Sequence, residues 1–250
     1  MRAIIIGAGR GRRLMPTTEF SPKCFAEIRG KRILDWTVEA LTAGGVTEIC
    51  FVGGYRMAAV EREYPQFAFR ENRDWEQNNI LVSLMCAEDL MDRPFVTAYS
   101  DILFTRDVVA GLISSRADIA LGVDTDWREH YRPRTQHPPH DAEKVITRGG
   151  RVERVQRNIP YEDATGEFIG VAKFGARGAG LLRSHYHRRR EAFWDKPYRE
   201  AAQFQKAYLI HLFQDMIEQG VEFGHADTHG NYREIDTQED MDLAQKGWLA

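Results

Sequence analysis

Three consecutive isoleucines, Ile4 to Ile6, run straight into Gly7-Ala8-Gly9-Arg10-Gly11, and no other junction in the chain constrains the fold as strongly. The apolar run reads as a buried strand. Glycine at alternate positions after it makes a loop whose backbone N–H groups approach a polyphosphate closely. Arg12, Arg13 and Lys23 follow where phosphate charge needs neutralising. Two other glycine loops do not fit. A Walker loop places Lys and Ser/Thr after its last glycine, whereas Gly11 precedes Arg12-Arg13. A dinucleotide fingerprint needs an acid closing the second strand, and the run near Glu48 to Val52 ends instead in Gly53-Gly54.

Strand and helix signals alternate after the loop. Helices are expected at about Arg32 to Ala43, Ala58 to Tyr64, Ile80 to Met91 and Arg106 to Ser114. Strands are expected at Glu48 to Val52, Phe67 to Arg70, Phe95 to Ser100 and Asp118 to Val123. Repeated βα units predict an α/β fold with a mostly parallel, Rossmann-like sheet and helices on both faces. After Val123 the pattern changes. Asp124 to Asp141 reads as a long polar lid, Glu143 to Gln156 as a hairpin across Gly149-Gly150, and Glu167 to Phe174 as a further strand. Helical stretches then run to Gln219, and Tyr232 to Asp236 closes with a last strand before a helix. The 250 residues read as one domain, with a nucleotide half at 1–123 and a smaller β-rich acceptor lobe at 124–250.

Asp101 and Asp236 each end a predicted strand, so both project beyond the carboxyl edge of the sheet, where ligands of open α/β folds bind. Two carboxylates from different strands suit Mg²⁺, which completes its octahedron with phosphate oxygens and water. The competing reading makes them helix caps, before Arg106 and Gln238 respectively. Lys173 stands out in an apolar strand; at the floor of the crevice it would need an anionic partner such as phosphate, and on an edge strand it would face solvent.

Gly-x-Gly-x-Arg-Leu followed by Pro22-Lys23 resembles the signature of the nucleotidyltransferases that make NDP-sugars and CDP-alcohols. The resemblance implies a nucleotide-diphospho-sugar transferase type of fold. It implies that Gly7, Ala8, Gly9 and Gly11 hold the triphosphate, that Arg13 and Lys23 are catalytic, and that Lys23 meets the phosphate under attack. Gly7 departs from the usual alanine. Tyr99-Ser100-Asp101 and Glu234-Ile235-Asp236 look like the two Mg²⁺ positions of the cytidylyltransferase branch. The stretch Glu71 to Leu84, with Asn72, Asn78, Asn79 and Ser83, also resembles that branch and implies a cytosine or ribose contact; helix capping by Asn78 or Asn79 is the alternative.

Arg134 and Asp141-Ala142-Glu143 are similar to a subgroup that includes enzymes forming CDP-linked glutamine for bacterial capsules, and to phosphonate relatives. Glu143 and Glu167 would hold an acceptor ammonium and Arg132 or Arg134 a carboxylate or phosphoryl group, while Lys173 would join Arg13 and Lys23 as a catalytic residue. Trp127 and Tyr131 would cage a quaternary ammonium, the alternative being a charged surface loop that two aromatics anchor. The expected partners are therefore CTP and a small phosphorylated or phosphonate acceptor, of the phosphocholine, aminoethylphosphonate or phosphoglutamine type. A sugar-1-phosphate nucleotidyltransferase using UTP, dTTP or GTP is the enzymatic alternative, and a silent nucleotide sensor the non-catalytic one.

A formal charge of −3 gives no general case for nucleic-acid binding, and Arg188 to Arg190 reads as a solvated helix end. No apolar run approaches the roughly 18 residues of a membrane span. Strand signal at the N-terminus argues against a signal peptide. Three widely spaced cysteines without a CxxC pair fit reduced thiols in a cytoplasmic protein. Homodimer formation stays open. No histidine is assigned to catalysis, since His137-Pro-Pro-His140 and His185-x-His187 lack a zinc-type ligand cluster.

Overall fold

In the computed structural model, which describes residues 1–249, the isoleucine run forms β1 (Arg2–Gly7). Ile4 and Ile6 face one hydrophobic core while Ala3 and Ile5 face another, the alternation of a strand covered on both sides. Single 3-10 turns at Arg12–Leu14 and Lys23–Phe25 follow, then a small hairpin of β2 (Glu27–Ile28) and β3 (Lys31–Arg32). Next come α1 (Ile33–Ala43), β4 (Glu48–Gly53), α2 (Met57–Glu63), β5 (Ala68–Glu71) and α3 (Ile80–Met85). The βα alternation continues through β6 (Phe95–Tyr99), β7 (Ile102–Phe104), α4 (Arg106–Ser114) and β8 (Ile119–Asp124). Beyond it lie α5 (Trp127–Tyr131), β9 (Lys144–Arg148), β10 (Arg151–Val155) and β11 (Gly166–Phe174). The remaining elements are α6 (Ala176–Phe193), α7 (Leu209–Glu218), β12 (Gly224–Thr228), β13 (Tyr232–Glu234) and α8 (Gln238–Gly247).

One nine-stranded sheet organises these elements in the order β5-β4-β1-β6-β11-β8-β12-β10-β9. β10 and β11 run against the other strands, so the sheet is mostly parallel with two reversed members. Residues of α1, α2 and α4 cover one face, and residues of α3, α6 and α7 the other. The expected α/β architecture is thus present. Among the described residues, no helix is long and apolar enough to cross a membrane.

Several elements differ from expectation, the unexpected β2, β3 and β7 among them. The helix expected to reach Met91 stops at Met85, because Cys86 and Ala87 donate to Ser83 and Leu84, tightening the last turn to the 3-10 pattern. The lid contains a helix, α5, whose Trp127 and Tyr131 are buried. β12 has no strand signal of its own, since Gly-His-Ala-Asp-Thr carries no apolar alternation; its parallel pairing to β8 holds it in the sheet. β13 ends at Glu234 and pairs with β7 in a separate two-stranded sheet, with Tyr232 opposite Phe104 and Glu234 opposite Ile102. That pairing continues one step further, where the Ile235 amide donates to the Asp101 carbonyl at 2.9 Å. It brings two acids far apart in sequence side by side.

Candidate active site

A cavity of about 720 Å³ opens beyond the carboxyl ends of β1 and β6, between the glycine loop and the β13–α8 junction. Gly7, Ala8, Gly9, Gly11, Arg12, Arg13 and Lys23 all line it. Gly11 has φ +67°, and a Cβ there would stand 2.7 Å from the Lys23 side chain. The glycine therefore does two jobs: it takes up the left-handed turn, and it lets the lysine stem pass beneath the loop. At Gly7 an alanine methyl would meet Phe51 at 2.5 Å and Ser100 at 2.8 Å, so these two side chains leave no room for an alanine there.

Lys23 is buried and donates to Asp101 Oδ2 at 2.7 Å and to Asp236 Oδ1. Burial alone would lower its pKa, but the two carboxylates outweigh it and raise the value above the ordinary lysine range. Burial likewise pushes the Asp236 carboxyl up, and Lys23 and Arg13 more than reverse that, holding it well below the usual range. Arg13, more than half exposed, donates to Asp236 Oδ2 and lies 3.7 Å from Asp141. Neither acid is a cap. Thr237 caps α8 through a box with Asp240, and Thr105 stands at the start of α4 without a side-chain cap bond.

At the other end of the cavity, Trp75, Asn78, Asn79 and Ser83 form the wall. Asn72 is buried behind it, where its Nδ2 donates to Asn78 Oδ1 at 2.7 Å and Ser83 Oγ at 2.8 Å. It positions Asn78 and Ser83 without lining the cavity. Asn79 lines the cavity and also caps α3, accepting from the Ile80 amide at 2.8 Å.

Glu143 and Glu167 are buried and also line the cavity. Burial raises both carboxyls, Glu167 to about 7. Glu143 Oε2 accepts from the Tyr99 hydroxyl at 3.1 Å, and its Oε1 lies 3.6 Å from Arg157, whose guanidinium stacks 4.0 Å over Tyr208. Glu167 Oε1 accepts from the Tyr131 hydroxyl at 2.7 Å. Glu143 Oε1 and Glu167 Oε2 have no hydrogen-bond partner among the described residues.

Five expected residues lie elsewhere. Lys173 is not on the crevice floor: β11 runs antiparallel, so Lys173 sits opposite Val96 and Ala120 at the entry ends of their strands. There its ammonium donates to the carbonyls of Ser115, at 2.9 Å, and Ala117. Trp127 and Tyr131 form no cage; they pack with Ala142, Ile159 and Ala164 in a small separate core. Arg132 is exposed and pairs with Glu129. Arg134 is buried, bound to Asp240 at 2.9 Å and the Glu234 carbonyl at 2.9 Å, so its charge is already used in holding α8.

Arg157 and Tyr208 line the cavity with no expectation attached to them, and Tyr99, Asp141, Glu234 and His137, named above without a role of their own, line it too. Glu234 was legible, since it stands in the Glu234-Ile235-Asp236 motif two places from Asp236. His137 lies in a loop, as expected, but is 2% exposed. Burial pushes the Glu234 carboxyl well up, with Asp236 and Asp101 adding repulsion.

Residues 3–150 match the family described as MobA-like NTP transferase domain. Across 254 aligned residues, 97% of this chain and 98% of the relative, the chain is 30% identical to a CTP:phosphoglutamine cytidylyltransferase from Campylobacter jejuni. Two solved structures share the fold. One is the inositol-1-phosphate CTP transferase from T. maritima, with TM-score 0.73 and 21% identity over 100% of this chain and 98% of that one. The other is a CTP:phosphocholine cytidylyltransferase from Streptococcus pneumoniae, with TM-score 0.71 and 18% identity over 98% and 97%.

Proposed function

The chain belongs to the MobA-like NTP transferase family, and from that premise we propose that it joins CMP from CTP to a small zwitterionic acceptor bearing a phosphate or phosphonate. The observation that carries the reading is the convergence of the glycine loop, Lys23, Asp101 and Asp236 on one cavity, in a chain related end to end to a phosphoglutamine cytidylyltransferase. An acceptor oxygen attacks the α-phosphorus of CTP, a new P–O bond forms, and the bond to the β-phosphate oxygen breaks to release pyrophosphate. The acceptor oxygen is already ionised, so no general base is needed. Catalysis is then alignment and charge stabilisation. Lys23 would bind the α-phosphate; Arg13 and the Gly9 to Gly11 amides would bind the β- and γ-phosphates. Residues 1–123 supply most of the nucleotide contacts and 124–250 most of the acceptor contacts, with Asp236 crossing to the phosphates.

Asp101 and Asp236 would hold a divalent cation such as Mg²⁺. Their hard oxygen donors suit it, and they already share one cation, the Lys23 ammonium. When bound, the ion withdraws charge from the phosphate oxygens.

CTP should be preferred over UTP by about tenfold to a hundredfold in kcat/KM, because a mismatched base edge leaves polar groups unpaired at a cost of roughly 1–3 kcal/mol. Pyrophosphate release with each NTP, at saturating phosphoglutamine, measures this. Comparable values for UTP would defeat the cytidylyl assignment.

For the acceptor, the buried Glu143 beside Arg157, with the buried Glu167 also lining the cavity, offers both signs of charge. Carboxylates would meet an ammonium and the guanidinium a carboxylate, as an amino-acid phosphate requires. Glu143→Gln keeps an oxygen for Tyr99 but removes the charge. It should raise the acceptor KM about tenfold and leave the CTP KM within twofold, consistent with roughly 1.5 kcal/mol for a charged hydrogen bond. Normal acceptor kinetics in this variant would remove Glu143 from the acceptor subsite.

A further inference from the structure

His137 lies between α5 and β9, with its ring edge-on to Tyr131 and 2% of its surface exposed. Among the described residues it is the one histidine lining the cavity. Four carboxylates surround it, all beyond hydrogen-bond length. Nε2 is 3.5 Å from Glu234 and 4.0 Å from Asp141, while Nδ1 is 3.7 Å from Asp240 and 4.0 Å from Asp236. Nδ1 is buried without a partner. Asp240 Oδ2 does not supply one, because it already accepts from the Asp236 and Thr237 amides and the Thr237 hydroxyl.

Glu234 lies off Nε2 and Asp236 off Nδ1, so a shared ion would sit on one nitrogen and draw the carboxylate on the other side towards it. Metal–ligand bonds of about 2.1 Å put neighbouring donors about 3 Å apart and opposite ones about 4 Å apart. His137, Glu234 and Asp236 each offer a ligand atom within 4.8 Å of the others. Resting on the proposed nucleotidyl transfer, we infer that His137, with Glu234 and Asp236, is a ligand of a divalent cation on the Oδ2 side of Asp236, a position distinct from the one between Asp101 and Asp236. One imidazole nitrogen among carboxylate oxygens makes the site less hard than an all-oxygen one and favours Mn²⁺ over Mg²⁺. With one ring nitrogen on the ion, the other faces a carboxylate, the arrangement that usually orients a metal-bound imidazole. Asp236 links the two parts of the site, since Oδ1 faces Lys23 and Oδ2 faces Arg13 and His137. Arg13 is more than half exposed and free to leave Oδ2 for a triphosphate.

The test adds Mn²⁺ alone to the full chain and reads nitrogen coupling to the bound ion by pulsed electron paramagnetic resonance. Wild type should show imidazole ¹⁴N modulation; His137→Gln should lose it and bind Mn²⁺ at least about tenfold more weakly. His140→Gln, at an exposed histidine three residues on, should keep both. Bound Mn²⁺ without ¹⁴N modulation in the wild type, or no Mn²⁺ binding, overturns the assignment even if the variant fails to fold. CTP turnover with Mg²⁺ on the same preparations tests the reaction separately. Turnover without ¹⁴N coupling sinks the histidine ligand alone, whereas ¹⁴N coupling without turnover supports the ligand and sinks the reaction.

Discussion

Lys23→Ala is expected to lower kcat about a hundredfold or more while changing the CTP KM far less. Lys23 is a buried, permanently charged ammonium at the mouth of the glycine loop, and loss of one preorganised contact to developing charge costs on the order of 3 kcal/mol. The same substitution leaves Asp101 and Asp236 facing each other without their shared cation, so the melting temperature should fall too. Adding Asp236→Asn removes one of the two opposed charges and should recover part of that stability with no recovery of turnover. Steady-state kinetics with thermal unfolding of the single and double variants separates the two effects. A Lys23→Ala enzyme retaining half the wild-type rate would make Lys23 a structural counter-ion only.

Asp236→Asn alone should cost more, about a thousandfold in kcat, at the upper end of what one electrostatic contact contributes. Its two oxygens serve Lys23 and Arg13 separately, so one substitution weakens both phosphate-binding cations and the anionic donor an ion requires. Asparagine fits the same space and Thr237 remains the cap, so the fold should persist. The check is pyrophosphate release across a Mg²⁺ titration. Ordinary turnover with only a lower melting temperature would show that Asp236 acts in folding alone.

The glycine loop, the Pro-Lys pair and both acids were legible because each follows a strand or turn signalled by its own immediate neighbours. The acceptor side was harder to read. Trp127 and Tyr131 are four apart, a helical spacing that could have marked them as one buried face rather than a cage. The place of Lys173 is not legible locally because a strand's direction depends on its partners: run antiparallel, β11 delivers Glu167 and Gly170 to the cavity and Lys173 to the far side. His137 and Arg157 carried no local signal. Their roles come from residues such as Glu234 and Tyr208, which lie far along the chain.

β11 has a further bearing on how the protein is made. It lies between β6 and β8, and the other neighbour of β8 is β12, so both strands that flank β8 are translated after it. A ribosome that has delivered only residues 1–124 holds a β8 with neither of its sheet neighbours. Pairings of such long sequence separation form slowly, and an unpaired apolar strand is where nascent chains associate wrongly. Chimeras that exchange acceptor halves with relatives by cutting at residue 124 inherit the same orphaned strand. A crossover that carries β8, β11 and β12 together respects the way the sheet is woven.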